Sequence, residues 1–332
     1  MAGTYYKGNE VDTTSKDLLS DKILVKTVKQ EIESKVFEGV FGVFTRPTLE
    51  VGQQLEEIEV GNLKSIDFDA TGAEALTKKK MDFKTLYHKI NRRKTFEAST
   101  SDAQIKMSML SKENMASVAN AIVNELYNSS AIEDYEVMKQ LLVDIAKENK
   151  NIVVCNLNGN GENMDAFSKA IQTLATNMTL PSTNYNHSGF KKAFNKREDL
   201  VLIVDSATQA RINVDSLASA FNMEKKHLVE NIVVIDQMPE IEYTSEKANK
   251  VLEIAIGEEN PIEIYKINSQ GDGTITGKVK AFLVEKKAIR RDPVEREIED
   301  QRNAKGRFTN HYLHATDMLT YSTLKNAIAF ID

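Results

Sequence analysis

Two glycine loops and one strand-end aspartate are the residues in this chain most able to do chemistry. The apolar run Val153 to Cys155 leads through Asn158 into Gly159-Asn-Gly161-Glu-Asn-Met164 and then a helical stretch, imitating a dinucleotide-binding turn. Such a turn needs a third glycine for close helix–strand packing, and Met164 stands there; no acidic strand end follows about 20 residues on. Gly271-Asp-Gly-Thr-Ile-Thr-Gly277-Lys278 imitates a phosphate loop, but its glycines are spaced one residue too far, and Val279 replaces the hydroxyl that would hold Mg²⁺. Asn268 to Val279 also imitates a calcium loop, with Val279 where a bidentate glutamate belongs. Asp272-Gly273 reads better as a hairpin turn. Leu200 to Asp205 has the form of an NTPase strand ending in a metal-binding aspartate. Without a phosphate loop to work with, Asp205 reads as a helix cap.

The remaining candidates do not assemble. The histidines are His88, His187, His227, His311 and His314. His311 and His314 are three apart in an expected strand, so they face opposite sides and do not share a metal. Cys155, the lone cysteine, lies in the apolar run NIVVC and reads as a small buried hydrophobe. No nucleophile, base and orienter come together. The sequence therefore predicts no catalytic residue, no metal and no cofactor, and points to a structural role.

Composition narrows the classes further. At 332 residues the chain suggests about two domains, and at 41% hydrophobic it can bury a sizeable core. A net charge of -6 argues against an extended nucleic-acid-binding surface. One cysteine allows no disulfide framework, which suits a reducing compartment. The N-terminal residues have no apolar stretch of a secretory signal, and no run is long enough to span a bilayer. The expectation is a soluble, cytosolic product with no membrane partner.

The elements that must position these residues follow from periodicity. Asp199 to Asp236 should be a strand, two short helices and a strand: Leu200 to Val204 buried on both faces, a helix capped by Asp205, a break at Asn213, a small-residue helix from Ser216 to Phe221, and a strand Ile232 to Ile235. Met1 to Asp17 reads as an extended arm, Leu18 to Lys35 as a short helix, and Val36 to Phe44 as an irregular strand. Ser111 to Lys150 is the strongest helical block, interrupted at Asn128 to Ser130. The stripe Met115, Val118, Ala119, Ile122, Val123 and Leu126, continued by Ile132, Tyr135, Met138, Leu141, Leu142 and Ile145, should be core. Asn163 to Met178 is another amphipathic helix. Val251 to Ile256, Ile262 to Asn268, Val279 to Val284, Phe308 to Ala315 and Leu324 to Ile331 read as strands, and Pro293 to Arg302 as a short charged helix.

Glu50 to Lys94 is the oddest region by charge. Its first part carries Glu50, Glu56, Glu57, Glu59, Asp67, Asp69 and Glu74 against Lys64; its second carries Lys78, Lys79, Lys80, Lys84, Lys89, Arg92, Arg93 and Lys94 against Asp82. An acidic strand and a basic strand joined by a polar tip make a long hairpin. It either neutralises itself, at roughly 0.2–1 kcal/mol per facing pair, or lies over an oppositely charged neighbour. So few apolar residues leave it poorly stable alone, which favours support from elsewhere.

These landmarks occur in the order found in the tailed-bacteriophage major capsid proteins, whose Hong Kong 97-type fold is shared with encapsulin shells. Arg46-Pro47 through Gly52 and Glu56-Glu57-Ile58 resembles the ascending strand of that family's extended E-loop. Asp82-Phe83 through Asn91 and Phe96 to Ser101 resembles the descending strand. The helices of 111–149 fall where the spine helix belongs. Leu180-Pro181-Ser182, Asn184-Tyr185-Asn186 and Val214 to Asn222 resemble the axial domain. Phe282 to Glu285, Arg302 to Phe308 and Asn310 to His314 resemble the returning strands, and Asn326 to Phe330 the usual ending. The family often has an aromatic where His311 or Asp317 stands, and no shell-crosslinking chemistry can be assigned.

The resemblance implies an α+β fold of Hong Kong 97 type, divided into an N-terminal arm at 1–38, an E-loop region at 39–104, a peripheral domain at 105–150 and 286–332 with a long spine helix, and an axial domain at 151–285. It implies a major capsid protein that forms pentamers and hexamers in an icosahedral or prolate head around double-stranded DNA, assembled as a procapsid in the host bacterial cytoplasm and ending in the virion. The implied partners are copies of itself, a portal protein, DNA held without sequence specificity and, because only some 35 to 40 residues precede the E-loop, a separate scaffolding protein. Lys78, Lys79, Lys80, Glu56, Glu57, Arg92 and Arg93 are the candidate inter-subunit contacts. A cargo-enclosing shell of the same fold is the second reading, and an α/β nucleotide-binding enzyme resting on Gly159 and Gly161 the third.

Overall fold

The computed structural model describes residues 37, 39–50, 52–68, 70, 78–101, 112–147, 152–191, 194–212, 231–257, 259–267 and 271–332. The expected N-terminal arm and its helix at 18–35, the tip of the charged hairpin at 71–77, and the small-residue helix from Ser216 to Phe221 lie outside the described residues. In chain order the elements begin with a 3₁₀ turn Val40–Phe44, then β1 (Leu55–Val60), β2 (Phe83–His88), β3 (Arg92–Ser101), α1 (Lys112–Lys147), β4 (Val153–Asn156), α2 (Met164–Asn177), β5 (Leu200–Asp205) and α3 (Ser206–Arg211). β6 (Ile232–Ile235), β7 (Glu242–Ile256), β8 (Glu259–Ile267), β9 (Gly273–Glu285), β10 (Ile289–Asn303), β11 (Phe308–Tyr321) and β12 (Ala327–Ile331) complete them.

Seven strands form one sheet in the order β12-β4-β8-β7-β9-β5-β6, with a further pairing of β12 to β9 that closes part of it on itself. Its apolar runs are continuous because both faces are covered. Leu200, Leu202 and Val204 point to one side with Val153, Cys155, Ile328 and Phe330, where Phe167, Ile171 and Leu174 of α2 meet them. Val201 and Ile203 point to the other with Val154, Phe282 and Ala329. There they meet Met138, Leu142 and Ile145 of α1 and Phe41 and Phe44 of the 3₁₀ turn. Each such fully buried aliphatic or aromatic side chain contributes about 1.5–3 kcal/mol by leaving water. Asn163 caps α2, its side chain accepting from the Asp165 and Ala166 amides, and Asp205 caps α3 through the Thr208 amide.

A second sheet, antiparallel in the order β10-β11-β3, packs beside α1, and β1 and β2 form an antiparallel pair of their own. Several sequence expectations are corrected here. Val40–Phe44 is a 3₁₀ turn that buries Phe41 and Phe44, not an irregular strand. Residues 128–130 do not interrupt the long helix: Asn128 turns outward to accept the Phe37 amide at 2.9 Å, and Ser130 is buried. Among the described side chains of the predicted stripe, Leu126 is buried but Val123 and Ile132 are exposed, so this part of the helix stands partly clear of the core.

Pro293 to Arg302 is not a helix but lies in β10. Pro293 sits at a register shift on this edge strand, where its missing N–H breaks no ladder bond. Residues 46–49 run alongside, with the Arg46 amide donating to Arg291 O and the Leu49 amide to Pro293 O. Asp272-Gly273 does not close a two-strand hairpin: β8 and β9 each pair with β7, not with each other. β12 joins the seven-stranded sheet between β4 and β9, away from β10 and β11, which precede it.

Candidate assembly surfaces

Strand alternation gives the β1–β2 pair two unlike faces. Glu57, Glu59, Lys84 and His88 turn toward the body of the molecule; Glu56, Ile58, Phe83 and Tyr87 turn away. On the inner face Glu57 Oε2 lies 3.1 Å from His88 Nε2, and His88 is only 2% exposed. Lys325 Nζ stands 3.4 Å from Glu57 and 3.9 Å from Glu59. Burial alone would raise the Glu57 pKa, but hydrogen bonds with His88 and Ser322 and the Lys325 charge outweigh it and lower it to about 2. Lys84 donates to His187 O at 3.0 Å and stands over the Phe190 ring. Gly61 completes the seat, since a Cβ there would fall 2.8 Å from the Phe190 ring and 3.0 Å from Asp82 O. Burial lowers the His187 pKa, and the nearby Lys266 and Lys84 charges lower it further against the opposing hydrogen bond with the Ile152 backbone.

The outer face is apolar and open. Ile58, Phe83 and Tyr87 are 56%, 67% and 61% exposed, and Leu63, Ile66 and Phe68 continue the exposure beyond β1. Glu56 accepts the Tyr87 hydroxyl at 2.9 Å. The hairpin is therefore not the self-neutralising ribbon the charge split suggests. In register, Glu59 faces Lys84, but Glu56 faces Tyr87, Glu57 faces Leu86, and Arg92, Arg93 and Lys94 belong to β3 instead.

β3 brings a different kind of site to α1. Arg92 is buried, and its Nη1 donates to Asp134 of α1 and, at 2.7 Å, to Asp317 of β11, which is wholly buried. Arg291 of β10 donates to the other oxygen of Asp134, and Arg296 Nη2 donates to Asp317 Oδ1 at 2.6 Å. Glu133 stands 3.4 Å from Arg92 and 3.5 Å from Lys94. Burial works against the Arg92 charge, but Asp134, Asp317 and Glu133 outweigh it and raise its pKa. Removing one member of such a set leaves the others buried and unpaired, so the network fixes how the helix sits on the three-stranded sheet.

The loops that imitate binding motifs hold parts of the chain itself. The Gly159 amide donates to Asp332 Oδ1 at 2.8 Å, and a Cβ on Gly161 would lie 2.6 Å from the same carboxylate. An anionic side chain thus occupies the place a phosphate would need. Asp205 is engaged as a cap. Cys155 is buried, and burial pushes its thiol pKa up. His311 pairs with Asp300 at 2.6 Å on one face of its sheet, and His314 stacks on Tyr312 on the other.

Of the seven candidate contact residues, Lys78, Lys79, Lys80, Glu56 and Arg93 are exposed. Glu57 and Arg92 are seated in the subunit's own networks. The sequence reading missed Asp134, Arg291, Arg296 and Lys325. Their signal was weak, because each is an ordinary polar residue that matters only through partners far along the chain.

A family profile described as Phi29-like phage major capsid protein matches residues 8–331. The chain is 27% identical over 307 residues to the major capsid protein of Bacillus phage GA-1, covering 91% of this chain and 57% of that protein. It is likewise 27% identical over 295 residues to the major capsid protein of Bacillus phage PZA, covering 87% of this chain and 57% of that protein. The chain thus spans a little over half the length of these relatives. Among solved structures it superposes on a chain of the Staphylococcus phage Andhra capsid with a TM-score of 0.62 at 13% identity, covering 99% of this chain and 95% of that one. A chain of the cyanophage P-SCSP1u capsid gives 0.56 at 14% identity, covering 94% and 93%. With its mixed helices and strands it shares the fold of those capsid chains, and by the profile match over nearly its whole length it belongs to the Phi29-like phage major capsid protein family.

Proposed function

We propose that this chain is the repeating unit of a tailed-phage head shell, acting through contacts rather than catalysis. The observation that carries the reading is the outer face of β1–β2: three large apolar side chains held in solvent on a hairpin that polar contacts anchor at its base. An exposed apolar face of this kind marks an interaction surface. In this reading β1, β2 and the segment between them are the E-loop of a Hong Kong 97-type subunit, α1 is its spine helix, and the seven-stranded sheet is the axial domain. The peripheral domain is α1 with the three-stranded sheet, and β12 goes with the axial domain. Lys78 to Lys80, Glu56 and Arg93 are contact residues, while Glu57 and Arg92 hold the elements that carry them.

Pentamers and hexamers, a separate scaffolding protein, a portal, DNA enclosed without sequence readout, and assembly in the host cytoplasm belong to the same proposal. Shells of this kind repeat heterologous contacts until they close, each obligate contact burying about 2,000–5,000 Å². The test is electron microscopy of the chain expressed with the head genes of its phage, beside a variant lacking residues 64–82. Closed shells from the intact chain and folded, unassembled subunits from the variant are expected. A stable monomer from the intact chain sinks the shell reading, and normal shells from the variant sink the E-loop role.

A further inference from the structure

The β10–β11 ribbon ends clear of the core, with residues 297–307 all exposed. Its end and its side carry opposite charge. The turn holds Lys305 and Arg307, with Arg302 just before it. The register places Glu297 and Glu299 of β10 in line with His314 and Tyr312 of β11 and with Thr95 and Glu97 of β3. These residues share the face turned away from α1, because Arg92, which binds Asp134 of α1, lies on the opposite parity of β3. The outer face therefore carries Glu97, Glu295, Glu297 and Glu299, with Arg93 at the end nearer the core and His314 3.8 Å from Glu299, while the tip is basic.

The turn is built with strain in an unusual place. Arg307 has φ 53°, in the left-handed region where glycine is the inexpensive residue. The neighbouring Gly306 is needed for room instead: a Cβ there would fall 2.4 Å from the Phe308 ring, and its amide is held by Asn303 Oδ1 at 2.9 Å. A charged side chain kept in a strained, exposed position indicates use of that side chain. The chain carries a net charge of -6, so its copies repel except where a basic patch meets an acidic one.

We propose that the basic turn at Lys305 and Arg307 docks on the acidic outer face, Glu97, Glu297 and Glu299, of a second copy of this chain. The two patches differ, so the contact is heterologous and repeats around an axis until it closes. The proposal rests on the shell reading and adds a contact separate from β1–β2. A nucleic acid is the other partner a basic turn could take, but glutamates flank this turn and oppose a phosphate backbone.

The test starts from the intact chain expressed with the head genes of its phage. Lys305→Glu with Arg307→Glu is expected to lower shell yield about tenfold or more at unchanged thermal stability. Adding Glu97→Lys, Glu297→Lys and Glu299→Lys to the same chain should restore assembly, because both patches are then reversed. Arg307→Gly relieves the backbone and removes the charge, so it should raise or keep the melting temperature while lowering yield; a purely structural role predicts no loss of yield. Wild-type yield from the double reversal overturns the contact, as does failure of the five-residue swap to restore shells. Normal shells that lose DNA point to nucleic acid instead and also overturn it. If the intact chain forms no shells, the shell reading itself fails.

Discussion

The seven-stranded sheet and the β1–β2 hairpin use the same alternation to opposite ends. In the sheet, Val201 and Leu202, or Ala329 and Phe330, point to opposite faces and both are buried, because α1 covers one side and α2 the other. In the hairpin one face is polar and turned to the body of the molecule, with His88 buried, Glu57 half-buried and Lys84 bonded to His187 O, while the apolar face with Ile58, Phe83 and Tyr87 is left in water. The sheet is stabilised by what it excludes from water. The hairpin is held by directed polar contacts and leaves its apolar surface exposed.

Breaking each region should separate these roles. Phe282→Ala, at a wholly buried position of β9, should cost about 3–5 kcal/mol in denaturant unfolding. Phe83→Ala, on the outer face of β2, should change subunit stability by no more than about 0.5 kcal/mol while impairing assembly. Equal destabilisation by the two would erase the contrast. The network that seats α1 on the three-stranded sheet should behave like core despite its charges. Asp317→Ala removes a wholly buried carboxylate that both Arg92 and Arg296 bind, leaving Asp134 to hold them, and should cost about 3–5 kcal/mol by thermal or denaturant melting.

Acid should loosen the hairpin before the sheet. The Glu57 pKa is about 2 in the fold against an ordinary 4.5, so its stabilisation is complete above the unfolded value and is lost as pH falls toward 2. The shift corresponds to up to about 3 kcal/mol at neutral pH. His187 acts in the same direction by the opposite route. Its folded pKa is lowered, so the unfolded state takes up more protons as pH falls through the ordinary 6.5, and docking weakens from there downward. Limited proteolysis between β1 and β2 should therefore speed up stepwise below about pH 6 while the sheet resists; unchanged protection down to about pH 3 would remove the electrostatic anchor. The smallest effect belongs to a cap: Asn163→Ala should cost α2 about 1 kcal/mol, measurable as a small fall in melting temperature.

Legibility followed the range of the interaction. α2 as an amphipathic run, β5 with Asp205 capping the helix after it, and β6 could be read because each short run contains its own signal. Glu57 and Arg92 were singled out for their charge, yet their partners are residues 88, 134, 317 and 325, which no local pattern connects to them. β10 was read as a helix because Pro293 and a mixed charged run look like a helix start. Pairing along β11 decided otherwise, as tertiary contacts override weak propensity.

By itself the sequence determined which segments must be buried on two sides, where the capped helices start, and, through the order of its landmarks, the family. These are properties of side-chain chemistry and spacing along the chain. Only the tertiary structure decided that Asp332 fills the glycine loop, that the long helix runs unbroken through Asn128 to Ser130, and which charges are turned inward and which outward. Those outcomes depend on groups from different elements, far apart along the chain, meeting at bonding distance, and local spacing carries no record of that.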